Sequence, residues 1–301
     1  MRRALAATTC SGVWLPQRSL DGPCSAFCFS EGKLDMGKLF SAAVIIITVV
    51  SVAIFIMHVW WLPVDISTTG PAVDRQLDET MIGTGILFFA SQIVLAIFVW
   101  GSSNTSSSRK IRIFPGGATP LVTFAVILVG LEILTLTFVG SKAWGAIYIA
   151  SPDPNSLKID VQAEQFAFYF RYAGPDGQFG GVHPDKIDDG SGNYFGLDPA
   201  NDVAARDDIV VGSLTIPVNK PILLKLHSKD VGHSFFVREL RVQQDFVPGL
   251  DIPVHFTATK TGKYEIVCTQ LCGLGHYNMK AYLDVLPQDD FEQWLKAQSG
   301  Q

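Results

Sequence analysis

Long apolar stretches fill the first half of the chain, and short alternating stretches fill the second half. Each long stretch is about twenty residues, the length that an α-helix needs to cross roughly 30 Å of hydrocarbon. They predict three transmembrane helices, at about residues 39–62, 81–100 and 120–140. Three uninterrupted stretches of this length are hard to bury in a soluble core, so the pattern favours a membrane region over residues 39–150.

The second half, residues 151–301, has the pattern of an all-β domain. Its apolar residues fall in short runs separated by turn residues, which is typical of a sandwich or barrel. The predicted strands are residues 157–161, 165–172, 214–218, 222–227, 234–237, 255–259, 263–268 and 280–286. Phe291, Trp294 and Leu295 then have helical spacing, which predicts a short C-terminal helix.

Charge is distributed unevenly around the predicted helices. Residues 1–150 have ten basic and eight acidic residues, whereas residues 151–301 have thirteen basic and twenty acidic ones. The loop between the second and third helices is basic and the loop between the first and second is acidic, and cytoplasmic loops collect Lys and Arg. We therefore expect a multi-pass protein of a bacterial-type inner membrane, with its C-terminal domain on the outer, periplasmic side.

Residues 1–38 allow three interpretations. They form a poorly ordered cytoplasmic tail, lie upstream of a true start at Met36, or belong to a cleaved signal peptide. The apolar stretch that follows is longer than a signal peptide needs, which favours a retained first helix. Cys24 and Cys28 have no nearby third ligand and are interpreted as incidental thiols.

An acidic segment, residues 174–208, interrupts the predicted strands. It contains eight Asp and two basic residues. Irregular loops of this length are uncommon in compact domains. The segment is interpreted either as a solvated acidic excursion or as a docking surface for a basic partner protein.

Residues that bind metals are concentrated near the C-terminus. Cys268, Cys272, His276 and Met279 form the pattern C-x3-C-x3-H-x2-M, and His233 lies thirty-five residues upstream. Their sulfurs and imidazoles are the soft and borderline donors that select copper. Two cysteines on one tight loop can both face inward and bridge two metals, and the two histidines can then complete the site.

Three simpler sites use some of the same residues. The cysteines could form a disulfide, although so short a loop is an awkward bridge. A mononuclear blue-copper site needs only one Cys, and a structural zinc site with two Cys and two His leaves Met279 unexplained.

This part of the chain resembles subunit II of the haem-copper cytochrome c oxidases. The resemblance runs from about residue 82 to residue 295 and rests on DVGHSF, FVPG, GKYEIVCTQLCGLGHYNM and FEQW, in that order. It implies a cupredoxin-like Greek-key sandwich behind a helical membrane anchor. It also implies a binuclear CuA centre of two copper ions. The ligands it implies are His233, Cys268, the backbone carbonyl of Gln270, Cys272, His276 and Met279.

The resemblance implies a function and partners as well. In this family CuA takes electrons from cytochrome c, or from a complex that bears cytochrome c, and passes them to haem in subunit I. There O₂ is reduced and protons are translocated, so subunit II belongs to an oxidoreductase but holds no catalytic residue of its own. The implied partners are subunit I, other oxidase subunits, the cytochrome donor and membrane lipid, with no nucleic acid.

The sequence departs from the common pattern of the family at several positions. Gln270 stands where many members have a Glu that joins a Mg²⁺ site, which weakens the case for Mg²⁺. Phe166 and Phe168 replace the usual Trp-x-Trp and are candidates for the aromatic residue through which electrons enter. Glu132, within the third helix, is the nearest carboxylate for a proton pathway. Covalent haem c is not expected because the chain has no C-x-x-C-H motif.

Two further functions compete with a cytochrome c oxidase subunit. A nitric oxide reductase can carry a chemically similar CuA subunit. A quinol oxidase has a structural subunit without metal, although the intact set of ligands here argues against it.

Overall fold

The computed structural model describes residues 35–57, 61–103 and 119–299. The predictions about the N-terminal tail, with Cys24 and Cys28, and about the basic residues between the second and third helices fall on residues outside these ranges.

Three helices form the first part of the described chain. They are α1 (Met36–Ile56), α2 (Gly70–Ser103) and α3 (Thr119–Trp144), and α3 continues into one π-helical turn at Gly145–Ile149. All three are long and apolar enough to cross a membrane. α2 begins about eleven residues before the predicted span, because an apolar pattern marks only the part of a helix that lipid surrounds. The polar residues that precede that part are also compatible with a helix.

The second part is a sandwich of two five-stranded sheets. The first sheet has the strand order β3-β2-β1-β5-β8 and the second has the order β4-β10-β9-β6-β7. The β1–β5 and β4–β10 pairs are parallel and the other pairs are antiparallel. The strands are β1 (Leu157–Glu164), β2 (Ala167–Tyr172), β3 (Ile209–Val211), β4 (Leu214–Pro217), β5 (Pro221–Ser228), β6 (His233–Val237), β7 (Val242–Phe246), β8 (Ile252–Thr257), β9 (Gly262–Val267) and β10 (Lys280–Leu286).

Alternating apolar residues fill the space between the two sheets. On β5, Ile222, Leu224 and Leu226 are fully buried, as are Ile159 and Val161 on the neighbouring β1. The short helix α4 (Gln288–Ser299) closes one end through Phe291 and Trp294. The predicted fold class, a helical membrane anchor followed by a β-sandwich, is confirmed.

Local strand patterns did not predict every element. β3 has only three residues, and the polar centre of β7, with the sequence VQQDF, conceals its alternation. The strand predicted at residues 165–172 is β2, which begins two residues later than predicted because Gln165 and Phe166 form a turn between β1 and β2. That turn places both residues beside the metal-binding residues described below.

The acidic segment folds over the outer face of the first sheet and is not structureless. Arg171 on β2 is fully buried and donates hydrogen bonds to Asp208 and to the carbonyl of Gly180. Tyr194 stacks on Tyr169 of β2 with 3.5 Å between ring centroids. These contacts make the segment a third layer of the domain.

The link between α1 and α2 holds the membrane region against the sandwich. Ile66 is fully buried and donates its N–H to the carbonyl of Glu239. Arg241 pairs with Asp74 of α2 at 2.7 Å, and its guanidinium also donates to the carbonyl of Pro63. The outer domain is therefore fixed to the outer end of α2 by a bidentate ion pair as well as by packing.

Candidate metal centre

The sulfur loop, residues 268–279, connects β9 to β10 and carries most of the candidate ligands. Because β9 and β10 are antiparallel neighbours, the two ends of the loop lie side by side. The N–H of Cys268 donates to the carbonyl of Met279 at 3.1 Å and closes the base of the loop. This closure turns residues that are close in sequence into a compact cluster.

Three side chains of the loop surround Cys272. Its Sγ lies 3.9 Å from Cys268 Sγ, 3.6 Å from His276 Nδ1 and 3.7 Å from Met279 Sδ. Both cysteines are free thiols, and they and Met279 are buried. The backbone carbonyl of Gln270 lies 3.2 Å from Cys268 Sγ, whereas the Gln270 residue itself is exposed.

His233 joins this cluster from the neighbouring strand. It begins β6, which pairs with β9, and it is fully buried. A nitrogen of its ring and the two cysteine sulfurs lie within 4.8 Å of one another. The structure thus brings together all six residues that the resemblance implies as copper ligands.

Hydrogen bonding leaves one nitrogen of His233 available for a metal. Nε2 lies 2.7 Å from Asp230 Oδ1, while Nδ1 is buried and has no hydrogen-bond partner among the residues that the structure describes. A carboxylate that accepts from Nε2 fixes the tautomer in which Nδ1 keeps its lone pair. A buried nitrogen without a partner is costly unless something binds it, so this atom fits a metal ligand.

The pKa values of Asp230 and Cys272 are shifted by their surroundings in the site. Burial opposes ionisation of Asp230, but hydrogen bonds from His233 and from the N–H groups of Gln165 and Val231 lower its pKa below the ordinary value. Burial, followed by the nearby Cys268 sulfur, raises the pKa of Cys272 to about 11 in the metal-free protein. A bound cation would reverse that effect, because it stabilises the thiolate.

The donor set fits copper. Two adjacent sulfur anions, a thioether and two imidazoles are the ligands that soft copper prefers. Paired thiolates can bridge two metal ions, and the imidazoles and the remaining weak donors can then occupy terminal positions. Of the residues that the structure describes, no carboxylate joins the cluster of His233, Cys268 and Cys272.

The outward-facing side chains of the sulfur loop are exposed. Apolar side chains near the ligands are expected to cover a metal site, but Leu271 on the sulfur loop is 78% exposed. Of Phe235 and Phe236 on β6, only Phe235 is fully buried, since its strand position faces the core. On the sulfur loop, Leu274 and Tyr277 are exposed as well. The tip of the loop thus presents apolar side chains outward.

The two candidate aromatic residues differ in position. Phe166 is 39% exposed and packs on the sulfur loop at Gly273 and Gly275. Phe168 is buried in the sandwich, with its ring centroid 5.9 Å from that of Phe246. Only Phe166 therefore joins the surface to the cluster.

Glu132 lies in the membrane region. It sits on α3, where its carboxyl faces Gly83 of α2, and its Oε1 atom is buried without a hydrogen-bond partner among the described residues. Its role in a proton pathway stays a prediction.

Sequence reasoning missed two residues next to the ligands, Gln165 and Asp230. The position of Asp230, three residues before His233, was a usable signal because this spacing lets the carboxylate contact the imidazole. Gln165 gave no local signal, since it reaches the sulfur loop across 107 residues of sequence.

Comparison with known proteins gives the same family as the resemblance. Residues 200–285, which include all six candidate ligands, match the family model for cytochrome c oxidase subunit II, periplasmic domain. These residues are therefore similar to the periplasmic domain of that family. The resemblance found in the sequence is confirmed, and the family that it names is one of copper-binding subunits of an oxidoreductase complex.

Relatives of this family differ in how much of the chain they match. An alternative cytochrome c oxidase subunit 2 from Bradyrhizobium diazoefficiens is 27% identical over 263 residues, which cover 85% of this chain and 92% of the relative. A cytochrome c oxidase subunit 2 from Thermostichus vulcanus is 44% identical over 88 residues, or 29% of this chain and 27% of the relative. The second similarity thus spans about a quarter of that protein.

A solved subunit II domain also matches. The periplasmic domain of subunit II of cytochrome oxidase from Bradyrhizobium japonicum is 26% identical, with a TM-score of 0.36. The match covers 50% of this chain and 97% of that domain.

Proposed function

We propose that the chain is the subunit of a respiratory cytochrome c oxidase that receives electrons at a binuclear CuA centre. The observation that carries the proposal is the convergence of Cys268, Cys272, His276, Met279 and His233 in one cluster, in which all but His276 are buried. The six proposed ligands are these five side chains and the carbonyl of Gln270. A pair of copper ions held there supplies a one-electron relay.

The residues around the cluster suit electron transfer because they limit movement. The two cysteines are held on a loop whose base is closed by hydrogen bonding, and His233 is held by Asp230. Phe235 and the core beneath it exclude water from the inner side. A rigid, dry surrounding keeps the ligands in nearly the same places in both redox states, so little rearrangement opposes transfer.

The proposed partners follow from this role. Electrons come from cytochrome c, or from a complex that bears cytochrome c, and leave to haem in subunit I. Phe166 supports a route of electrons into the site, since it alone of the two aromatic candidates is both exposed and in contact with the sulfur loop. Other oxidase subunits and membrane lipid surround the three helices.

The location and the coupled reaction are part of the same proposal. The outer domain lies on the periplasmic side of a bacterial inner membrane, and O₂ reduction in subunit I drives proton translocation. Glu132 is a candidate for the proton pathway because its buried carboxyl oxygen faces α2 without a partner among the described residues. The exposed side chain of Gln270 offers no carboxylate for a Mg²⁺ ion.

Electron spin resonance tests the metal centre. The full chain, purified in detergent and loaded with copper, is expected to be purple and to show hyperfine splitting from two equivalent copper ions. A four-line spectrum of a single copper ion would contradict the assignment. Zinc binding with the same stoichiometry, and no coloured copper complex, would favour a structural site instead.

Purification of the native complex tests the reaction. A complex with haem-bearing subunit I that consumes O₂ with reduced cytochrome c supports the proposal. A complex that consumes NO would identify the chain as the CuA subunit of a nitric oxide reductase.

A further inference from the structure

The turn between β1 and β2 touches both parts of the candidate metal centre. The side-chain amide of Gln165 donates through Nε2 to the carbonyl of Cys272 at 2.5 Å. Its backbone N–H donates to Asp230 Oδ2 at 2.8 Å. One residue of the turn therefore contacts the sulfur loop with its side chain and the region before β6 with its backbone.

Asp230 extends this connection to His233. While Oδ2 accepts from Gln165, Oδ1 lies 2.7 Å from Nε2 of His233. The hydrogen bonds thus run without a break from the carbonyl of Cys272, through Gln165 and Asp230, to the imidazole of His233. Two candidate ligands, one on the sulfur loop and one at the start of β6, are thus connected by hydrogen bonds.

The sulfur loop is shaped to receive the turn. Gly273 has φ +137°, a conformation that favours glycine, and a Cβ there would lie 2.8 Å from Gln165 Nε2. A Cβ on Gly275 would lie within 2.4 Å of the Phe166 ring. Both glycines allow an approach that any larger residue would block, so the loop and the turn fit each other closely.

We propose that Gln165 is a positioning residue, which holds the sulfur loop against the His233 edge before copper binds and slows the loss of bound copper. The inference rests on the proposed function. Residues that hydrogen-bond to the ligands of a metal orient those ligands, and changes to them typically alter metal affinity by about 10- to 100-fold. Gln165 acts on Cys272 by donating a hydrogen bond to the Cys272 carbonyl, and on His233 by donating one to Asp230.

Gln165→Leu is the informative variant. Leucine keeps most of the side-chain volume but donates no hydrogen bond, so the carbonyl of Cys272 loses its donor while the backbone bond to Asp230 is retained. Gln178→Leu is the matched control, because Gln178 is exposed in the acidic segment.

The experiment uses the full chain in detergent, loaded with copper and then exposed to excess chelator. Gln165→Leu is expected to lose copper about tenfold faster than the parent protein and to show altered copper hyperfine splitting. Gln178→Leu is expected to match the parent. An unchanged rate and an unchanged spectrum for Gln165→Leu would overturn the proposal, as would an equal acceleration in both variants.

A second measurement needs no variant and no copper. In the metal-free parent, the side-chain amide protons of Gln165 are expected to exchange with solvent at least tenfold more slowly than those of Gln178. Equal exchange rates would show that the hydrogen bond does not hold the loop and would overturn the inference even if Gln165→Leu failed to fold. Absence of a two-copper spectrum in the parent would instead reject the proposed function, and the exchange rates would then test only whether Gln165 holds the sulfur loop.

Discussion

The two longest irregular segments of the outer domain are ordered in opposite ways. The sulfur loop brings its donor atoms towards one another, and beside it a buried nitrogen of His233 has no hydrogen-bond partner within the described part of the chain. The acidic segment pairs its carboxylates with Arg171, Lys186 and Lys229. The first arrangement could hold a further group such as a metal ion, whereas the second is held by contacts within the chain.

This difference predicts that function and stability can be changed separately. Changes in the sulfur loop should remove the metal centre with little effect on the metal-free fold. Changes beneath the acidic segment should weaken the fold and leave the copper spectrum intact. A variant that altered both properties together would break the distinction.

The largest effect is expected from Cys272→Ser. Cys272 lies at the centre of the cluster, within 3.9 Å of Cys268 Sγ, Met279 Sδ and His276 Nδ1. A serine oxygen is a hard and weakly acidic donor that cannot replace a bridging thiolate. The two-copper spin resonance signal should disappear completely.

The same variant should leave the metal-free fold nearly unchanged. Serine is similar in size to cysteine, so the midpoint of urea unfolding, followed by near-ultraviolet circular dichroism, is expected to stay close to that of the metal-free parent. A large loss of stability would mean that the thiol itself, and not the bound metal, maintains the loop.

The second prediction concerns the acidic segment. Arg171→Met should lower the free energy of unfolding of the outer domain by about 3 kcal/mol, because it leaves the buried carboxylate of Asp208 unpaired. Burial already raises the pKa of Asp208 even though Arg171 opposes the rise. Urea titration of the outer domain checks the expected loss.

Copper binding is the control for this variant. If the acidic segment is a separate layer, Arg171→Met should keep the two-copper spectrum under conditions where it remains folded. Loss of that spectrum would show that the layer supports the metal centre through the first sheet.

The candidate ligands could be predicted from the sequence because four of them lie within twelve residues. Cys268, Cys272, His276 and Met279 need only a tight loop between paired strands to meet, and the loop is present. His233 could be added because a site of this type needs a second imidazole, and the loop itself has only that of His276. The order of helices and strands also followed from the length and spacing of apolar residues.

Contacts between distant residues could not be predicted in this way. Whether Leu271 covers the site or points outward depends on the direction of the loop, which its own sequence does not determine. The contact of Gln165 with Cys272 requires the register of two separate sheets. The acidic segment was expected to be solvated or to bind a partner. Its packing on the first sheet, through aromatic stacking and the buried Arg171, depends on contacts that only the assembled fold brings together.

A smaller effect is expected at the remaining sulfur ligand. Met279→Leu should keep the fold and the two-copper spectrum but change the redox potential, since Met279 is buried beside Cys272 and leucine has a similar volume. Potentiometric titration of the copper-loaded chain measures the change. Met81→Leu, in the membrane helix α2, is the control, and an unchanged potential in Met279→Leu would remove Met279 from the ligands.

The smallest effect is expected where the acidic segment meets solvent. A hydrogen bond from Lys186 holds the pKa of Asp198 at about 2, below its ordinary value of 3.8. The folded protein thus keeps this carboxylate charged at a pH where the unfolded chain has taken up a proton. The stabilisation is fully present above about pH 5, and it is lost as the pH falls towards 2.

Lys186→Met tests this pH dependence. The variant should be slightly less stable than the parent at pH 6, and most of the difference should be gone at pH 2, because the carboxylate is then about half protonated in the parent and largely protonated in the variant. Urea unfolding at the two pH values measures it, and the copper spectrum at pH 6 should be the same for both. A difference of the same size at pH 2 as at pH 6 would mean that Lys186 stabilises the acidic segment by packing and not by its charge.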